Sequence, residues 1–173
     1  MPARGVAAMS LALAIGTFTG QAMADSTSSP TVATTASAAT IVDVVLGDPT
    51  SSPSLAAMML VAKPNSVTSG RVTFTIRNTS TTSEHELLVV KIPGNQERRR
   101  LPYDSISGKV IESQIDKVGD SGDLRANTST TFTVSLTPGR YLLMCNEPGH
   151  YREGMWSWLT VDRAARSPQD ARK

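Results

Sequence analysis

The residues with the most distinctive chemistry in this chain are one cysteine, two histidines and one methionine. Cys145 is the only cysteine among the 173 residues, and His150 and Met155 follow it at equal intervals. The other histidine, His85, lies far upstream. Two imidazoles, one thiolate and one thioether are the ligand set of a trigonal blue-copper electron-transfer site with a weak axial methionine. These four residues are therefore candidate copper ligands.

The single cysteine is informative because exported proteins commonly use cysteines in pairs, as disulfides. A lone thiol in an oxidising compartment is buried and inert, pairs with another chain, or binds a metal. The spacing of His150 and Met155 behind Cys145 favours metal binding. The alternatives are a buried apolar cysteine, a surface histidine and a methionine that only fills the core.

The first residues read as an export signal. Arg4 precedes the apolar run 6–15, which is too short to span a bilayer, and Ala22-Met23-Ala24 fits a small-x-small cleavage pattern. We expect residues 1–24 to be a cleaved signal peptide and the Ser/Thr/Ala-rich residues 25–40 to be a flexible lead-in. No twin arginine precedes the apolar run. The sequence thus predicts a soluble, exported protein, most naturally a periplasmic one.

Charge and hydropathy argue against several classes of protein. The formal net charge is +2, from 17 basic and 15 acidic residues, so nucleic-acid binding has no support. No later apolar stretch is long enough for a membrane span. About one domain's worth of chain remains after the signal, and we expect it to be a monomer.

Residues 41–162 read as short β-strands separated by Pro- and Gly-containing turns. The clearest alternation is Arg71–Arg77, whose apolar residues Val72, Phe74 and Ile76 face one side. The segment 57–61 would suit a strand or a helical turn. The pattern predicts an all-β sandwich with strands at 41–46, 57–61, 71–77, 85–92, 131–136, 140–145 and 156–161.

One segment, 95–127, interrupts this pattern. It is polar and mixed in charge, and Ile111, Ile115 and Val118 stand at helical spacing, which predicts a short helix over 110–118. We interpret the segment as a long excursion that covers one side of the sandwich. The polar residues 163–173 are predicted to be a frayed tail.

The predicted strands bring the candidate ligands together. Alternation places Cys145 at the inward-facing end of strand 140–145. The loop 146–154, shaped by Pro148-Gly149, is compact enough to hold Cys145 and the two candidate ligands after it around one point. His85, at the start of a neighbouring predicted strand, supplies the remaining ligand.

These residues resemble the cupredoxin family of blue, type 1 copper proteins. The strand 141–145, the Cys-x₄-His-x₄-Met loop and its Pro-Gly-His and Gly-Met-Trp stretches look like rusticyanin and sulfocyanin, and less like plastocyanin, whose loop is shorter. Phe74–Asn78 followed by His85 is similar to the family's strand-Asn-loop-His segment. The resemblance covers about 41–161. Many relatives have Asn after the first His, where this chain has Glu86.

The resemblance implies a Greek-key, cupredoxin-like β-sandwich with one long, partly helical excursion. It also implies that one copper ion, cycling between Cu(I) and Cu(II), is held by His85, Cys145, His150 and Met155. The implied function is one-electron transfer between redox partners of cytochrome or oxidase type. Catalysis at the metal is not expected, because a weak axial methionine leaves no open coordination position.

Three other functions remain open from the sequence. The first is copper sequestration or delivery, although the chain has no additional Met- or His-rich tract. The second is a zinc or copper enzyme, which needs an open coordination position and a general base such as Glu147 or Glu153. The third is a metal-free β-sandwich binding module, which would leave the coincidence of ligand types unexplained.

Overall fold

The structure is a computed structural model that describes residues 39–48, 58–94 and 101–164. Within these residues the chain forms a Greek-key β-sandwich and one short 3-10 helix, Glu112–Gln114. The strands are β1 (Thr40–Gly47), β2 (Met59–Lys63), β3 (Ser66–Thr68), β4 (Gly70–Asn78), β5 (Leu88–Ile92), β6 (Tyr103–Asp104), β7 (Lys109–Val110), β8 (Asp116–Asp120), β9 (Ser129–Leu136), β10 (Gly139–Met144) and β11 (Trp156–Asp162).

Two main sheets and one small hairpin account for these strands. The first sheet has the order β2-β1-β4-β9, and the second sheet has the order β3-β11-β10-β5-β8. β1 pairs with β4 in parallel, as β11 does with β3, and the other pairs are antiparallel. β6 and β7 form a separate two-stranded hairpin, residues 103–110, called the excursion hairpin below.

The inner core lies between the two sheets and follows from the alternation of apolar residues along each strand. Val72, Phe74 and Ile76 of β4 are completely buried, which confirms the face predicted from their spacing. Burial of each such side chain contributes about 1.5–3 kcal/mol. The inner core also contains Val42, Val44, Leu46, Val89, Tyr141, Leu143, Cys145, Met155 and Leu159.

A second cluster, the outer core, covers the other face of the second sheet. Leu142 and Met144 of β10 point into it, so β10 is buried on both faces. Leu101, Val110 and Tyr151 close this cluster from outside the sheet. The prediction that the excursion covers one side of the sandwich is therefore confirmed for its described residues. Met144 faces away from the Cys145 side, as alternation requires.

The predicted helix over 110–118 is wrong. The region contains the end of β7, the three-residue 3-10 helix and strand β8, which pairs with β5. The helical spacing of Ile111, Ile115 and Val118 is misleading, because Ile115 packs against the outer core and Val118 against the inner core. One helical face could not have served two cores on opposite sides of a sheet.

Other boundaries also differ from the prediction. His85 does not begin a strand: β5 starts at Leu88, and His85 forms an isolated antiparallel bridge with Leu124. The second predicted strand is shifted to Met59–Lys63, and the short β3 is not predicted from sequence. The predicted signal peptide and nearly all of the lead-in lie outside the described residues, as does most of the tail. No helix among the described residues is long and apolar enough to cross a membrane.

Candidate metal centre

Three of the four candidate ligands converge at one end of the sandwich. The ligand atoms of His85, Cys145 and His150 all lie within 4.8 Å of one another. The two Nδ1 atoms are 3.2 Å apart, and the Cys145 Sγ lies 3.9 Å from Nδ1 of His85 and 3.5 Å from Nδ1 of His150. Each imidazole therefore presents the same ring nitrogen to one point beside the sulfur.

His85 is held by its backbone and by the far side of its ring. Its amide and carbonyl groups both pair with Leu124, at 3.0 and 2.6 Å. Its Nε2 lies 2.7 Å from Oγ of Ser80, and Oδ2 of the buried Asp48 lies 3.7 Å from the same nitrogen. These contacts leave Nδ1 as the nitrogen that faces the site.

Asn78 organises the loop that leads to His85. It is buried at the end of β4, and its side-chain amide donates to the carbonyl groups of Ser83 and Leu124, both at 2.9 Å. Its Oδ1 accepts the amide of Ser80 at 2.9 Å. One side chain thus bonds two backbone groups of the loop and the carbonyl of Leu124, which also accepts the amide of His85.

Cys145 follows directly after β10 and is completely buried in the inner core. Its amide donates to the carbonyl of Met155 at 3.0 Å, which closes the base of the loop. The amide of Glu86 approaches Sγ at 3.5 Å, and the amide of Glu147 also bonds the sulfur. The backbone of Glu86 therefore ties the two segments that carry the candidate ligands together.

The loop between Cys145 and Met155, called the ligand loop below, is held by its own backbone. His150 donates its amide to the carbonyl of Glu147 at 3.1 Å and accepts the amide of Met155 at 3.0 Å. Met155 is completely buried in the inner core, and its backbone bonds both other candidate ligands of the loop. Axial ligation of a metal by the Met155 thioether stays a prediction.

The excursion hairpin supports the ligand loop from outside. Asn146 is buried and pairs with the backbone of Val110, accepting its amide at 2.7 Å and donating to its carbonyl at 3.0 Å. Gly149 donates to the carbonyl of Gly108 at 2.8 Å. Gly108 has φ +72°, and a Cβ there would lie 3.1 Å from the Gly149 nitrogen, so a larger residue would be strained and crowded at this contact.

Burial sets the protonation of the metal-free site. It lowers the pKa of His85 to about 4, with His150 adding to the lowering and Asp48 opposing it. Burial also lowers the pKa of His150. It raises the pKa of the Cys145 thiol to about 12, against the two amide hydrogen bonds to the sulfur. At neutral pH the site therefore offers two neutral imidazoles and a thiol that ionises when a metal binds.

The donor set fits a copper ion. Cu(I) favours soft thiolate and thioether ligands, imidazole and thiolate suit Cu(II), and a trigonal His₂Cys arrangement is typical of a blue-copper centre. His85, Cys145 and His150 supply this arrangement, with neutral nitrogens directed at one point. A bound copper ion would supply the redox couple, and the protein supplies a buried and constrained set of donors.

Comparison with known protein families identifies the kind of domain. Residues 59–171 match the sulfocyanin (SoxE) domain. The chain belongs to this family. The match includes Cys145, His150, Met155 and the whole excursion, and it agrees with the resemblance drawn from the ligand loop. A comparison with curated proteins finds no match.

Solved structures share this fold, and one of them is described as a "blue" copper protein. Auracyanin A, a "blue" copper protein from Chloroflexus aurantiacus, is 21% identical with a TM-score of 0.50, over 70% of this chain and 99% of its own. Rusticyanin from Thiobacillus ferrooxidans is 22% identical with a TM-score of 0.51, over 70% of this chain and 77% of its own. A structure of the rusticyanin variants Ser86Asp and Met148Leu is 23% identical with a TM-score of 0.52, over 70% of this chain and 77% of its own. At these sequence identities the three structures show that the chain shares their fold.

Three residues around the centre are not predicted from the sequence, Asp48, Ser80 and Asn146, and Asn78 enters only as part of the strand-Asn-loop-His resemblance, with no role assigned to it. Asn78 and Asn146 carry a weak signal, since each is an Asn beside a strand end, where side-chain amides commonly satisfy loop backbone. No signal in the sequence distinguishes Asp48 and Ser80 from other turn residues.

Replacing Asn146 with Ala is expected to destabilise the metal-free protein by about 2–4 kcal/mol. The change removes the hydrogen bonds to Val110 and to Glu112 Oε1, and it leaves buried backbone groups of Val110 without partners. Urea denaturation measures the loss. The exposed Asn65 is the matched control, and Asn65→Ala should change stability by about 0.5 kcal/mol or less. Equal effects of the two substitutions would contradict this account.

The pH dependence of stability in the metal-free protein should reveal opposed effects of the buried histidines and of Glu86. The pKa of His85 is about 4 against an ordinary 6.5, so the unfolded chain binds a proton first and stability is lost as pH falls below 6.5. Burial raises the pKa of Glu86 to about 7 from 4.5, so the folded chain binds a proton first and stability is gained as pH falls from 7. His150, whose pKa burial also lowers, acts in the same direction as His85, so the two histidines and Glu86 oppose each other between pH 7 and 5.

Replacing Glu86 with Gln should expose the effect of the two histidines, because burial lowers the pKa of both. We expect the free energy of unfolding of this variant to fall by at least about 2 kcal/mol between pH 7 and 5, since His85 alone loses about 1.4 kcal/mol per pH unit below 6.5, and we expect the wild type to lose less because Glu86 offsets part of the loss. Glu84→Gln, at an exposed neighbouring position, should keep the wild-type profile. A flat profile for Glu86→Gln would show that His85 is not buried in neutral form.

Proposed function

We propose that this protein is a periplasmic one-electron carrier with a type 1 copper centre. His85, Cys145 and His150 are the strong ligands in this proposal, and Met155 is the weak axial ligand. The carrier exchanges electrons with redox proteins of cytochrome or oxidase type and catalyses no reaction of its own. The single observation that supports it best is the convergence of the three ligand atoms within 4.8 Å.

The constraint on the donors supports electron transfer. Both ends of the ligand loop are bonded to each other, the excursion hairpin braces its middle, and the Asn78 network fixes the approach to His85. A site whose ligands are already held in place by the fold requires little rearrangement when copper changes oxidation state. A small rearrangement is what fast one-electron exchange needs.

The exposure of the two histidines suggests where electrons leave. His85 is completely buried, whereas His150 lies on the ligand loop and is partly exposed. Tyr151 beside it is buried in the outer core. His150 is therefore the ligand that a docked redox protein can approach most closely.

The first test is the visible spectrum of the copper-loaded protein. We expect an intense band when it is oxidised, which bleaches on reduction, and we expect Cys145→Ser to abolish that band because the thiolate–copper bond produces it. Circular dichroism should show that the variant keeps its β-sheet content. An unchanged band in Cys145→Ser would refute the centre. Rapid copper transfer to an acceptor, with no reversible redox couple, would instead favour copper delivery.

The second test concerns the axial ligand. Met155→Leu should retain copper but raise the reduction potential, since loss of a weak thioether bond destabilises Cu(II) more than a trigonal Cu(I). The volume is nearly conserved, so the substitution should cost less than about 1.5 kcal/mol of stability. Met144→Leu is the matched control, because Met144 is also completely buried but faces the outer core. Voltammetry of both variants measures the effect, and equal potentials would contradict axial ligation.

A further inference from the structure

The two ring nitrogens of His85 face different surroundings. Nδ1 points to the site, 3.2 Å from Nδ1 of His150 and 3.9 Å from the Cys145 sulfur. Nε2 points the other way, 2.7 Å from the hydroxyl of Ser80. A metal bound at Nδ1 needs that nitrogen unprotonated, so the ring proton must sit on Nε2 and be donated to the Ser80 oxygen.

A carboxylate lies behind the same nitrogen. Oδ2 of Asp48 is 3.7 Å from Nε2, too far for a good hydrogen bond but within the range of an ion pair. The Asp48 side chain is only 2% exposed and that of His85 is 0% exposed. Water screens such a pair poorly, so the carboxylate charge acts strongly on the ring and on any cation bound to it.

We propose that Asp48 and Ser80 are positioning residues that present Nδ1 of His85 to the metal, and that the Asp48 carboxylate favours Cu(II) over Cu(I). The inference rests on the proposed function, because it takes His85 as a copper ligand. Hydrogen-bond partners behind a ligating histidine fix its tautomer and raise its basicity. A nearby negative charge stabilises the more positive oxidation state of the ion, so this pair lowers the reduction potential.

The decisive variant is Asp48→Asn, which removes the charge and keeps the shape of the side chain. We expect it to bind copper and keep its visible band, while the ratio of Cu(II) to Cu(I) affinity falls about tenfold, which raises the one-electron potential by about 59 mV. Asp48→Glu keeps the charge and should stay near the wild-type potential. Asp43→Asn removes a carboxylate from the exposed side of β1 and should also leave the potential unchanged.

Equal potentials for Asp48→Asn and Asp43→Asn would overturn the role of the Asp48 charge. The role of Ser80 is tested without copper, by ¹⁵N nuclear magnetic resonance of the metal-free wild type above pH 7. We expect His85 to carry its proton on Nε2, and we expect Ser80→Ala, but not Ser80→Thr, to reduce the population of that tautomer.

A proton on Nδ1 in the wild type would overturn the inference even if Asp48→Asn failed to fold. These outcomes differ from failure of the proposed function, which is a copper-loaded wild type without the intense visible band.

Discussion

The buried sulfur of Cys145 is the constraint on which the rest of the site depends. A thiolate in the inner core is strongly unfavourable without a cation, as the raised pKa of the thiol shows. Two backbone amides offset part of this cost, and both come from segments that carry other ligands. The sulfur therefore needs the loop of His85 on one side and the ligand loop on the other. Every contact that fixes those loops also prepares the sulfur for a metal.

Two different structures fix the two loops. The loop before His85 is organised internally, by the buried side chain of Asn78 and by the backbone pair with Leu124. The ligand loop is braced externally, by the excursion hairpin that pairs with Asn146 and Gly149. The excursion thus has two roles, because it also closes the outer core over the second sheet. This explains why β10, which ends at the candidate metal centre, is buried on both of its faces.

Much of the fold and of the site follows from the sequence, for physical reasons that particular residues make clear. Alternation in β4 and β10 predicts their inner faces, because successive side chains of a strand point to opposite faces of the sheet. Cys145, His85 and His150 are predicted from ligand chemistry, because few other arrangements use those residue types together. The excursion is not predictable in this way, since Ile115 and Val118 serve different cores and imitate a helix. Asp48 and Ser80 matter only through their distance to His85, which no local pattern encodes.

The order of the candidate ligands along the chain has a consequence for how metal and fold are coupled. Cys145, His150 and Met155 lie within one short segment, whereas His85 joins them only through long-range strand pairing. An unfolded chain therefore already carries a three-donor peptide with affinity for soft metal ions. Binding to the unfolded state reduces the stabilisation that a ligand gives to the native state. In the proposed centre, copper should then protect the fold less than its affinity for the native site would suggest, and the full ligand set forms only when strand pairing brings His85 to the other three residues.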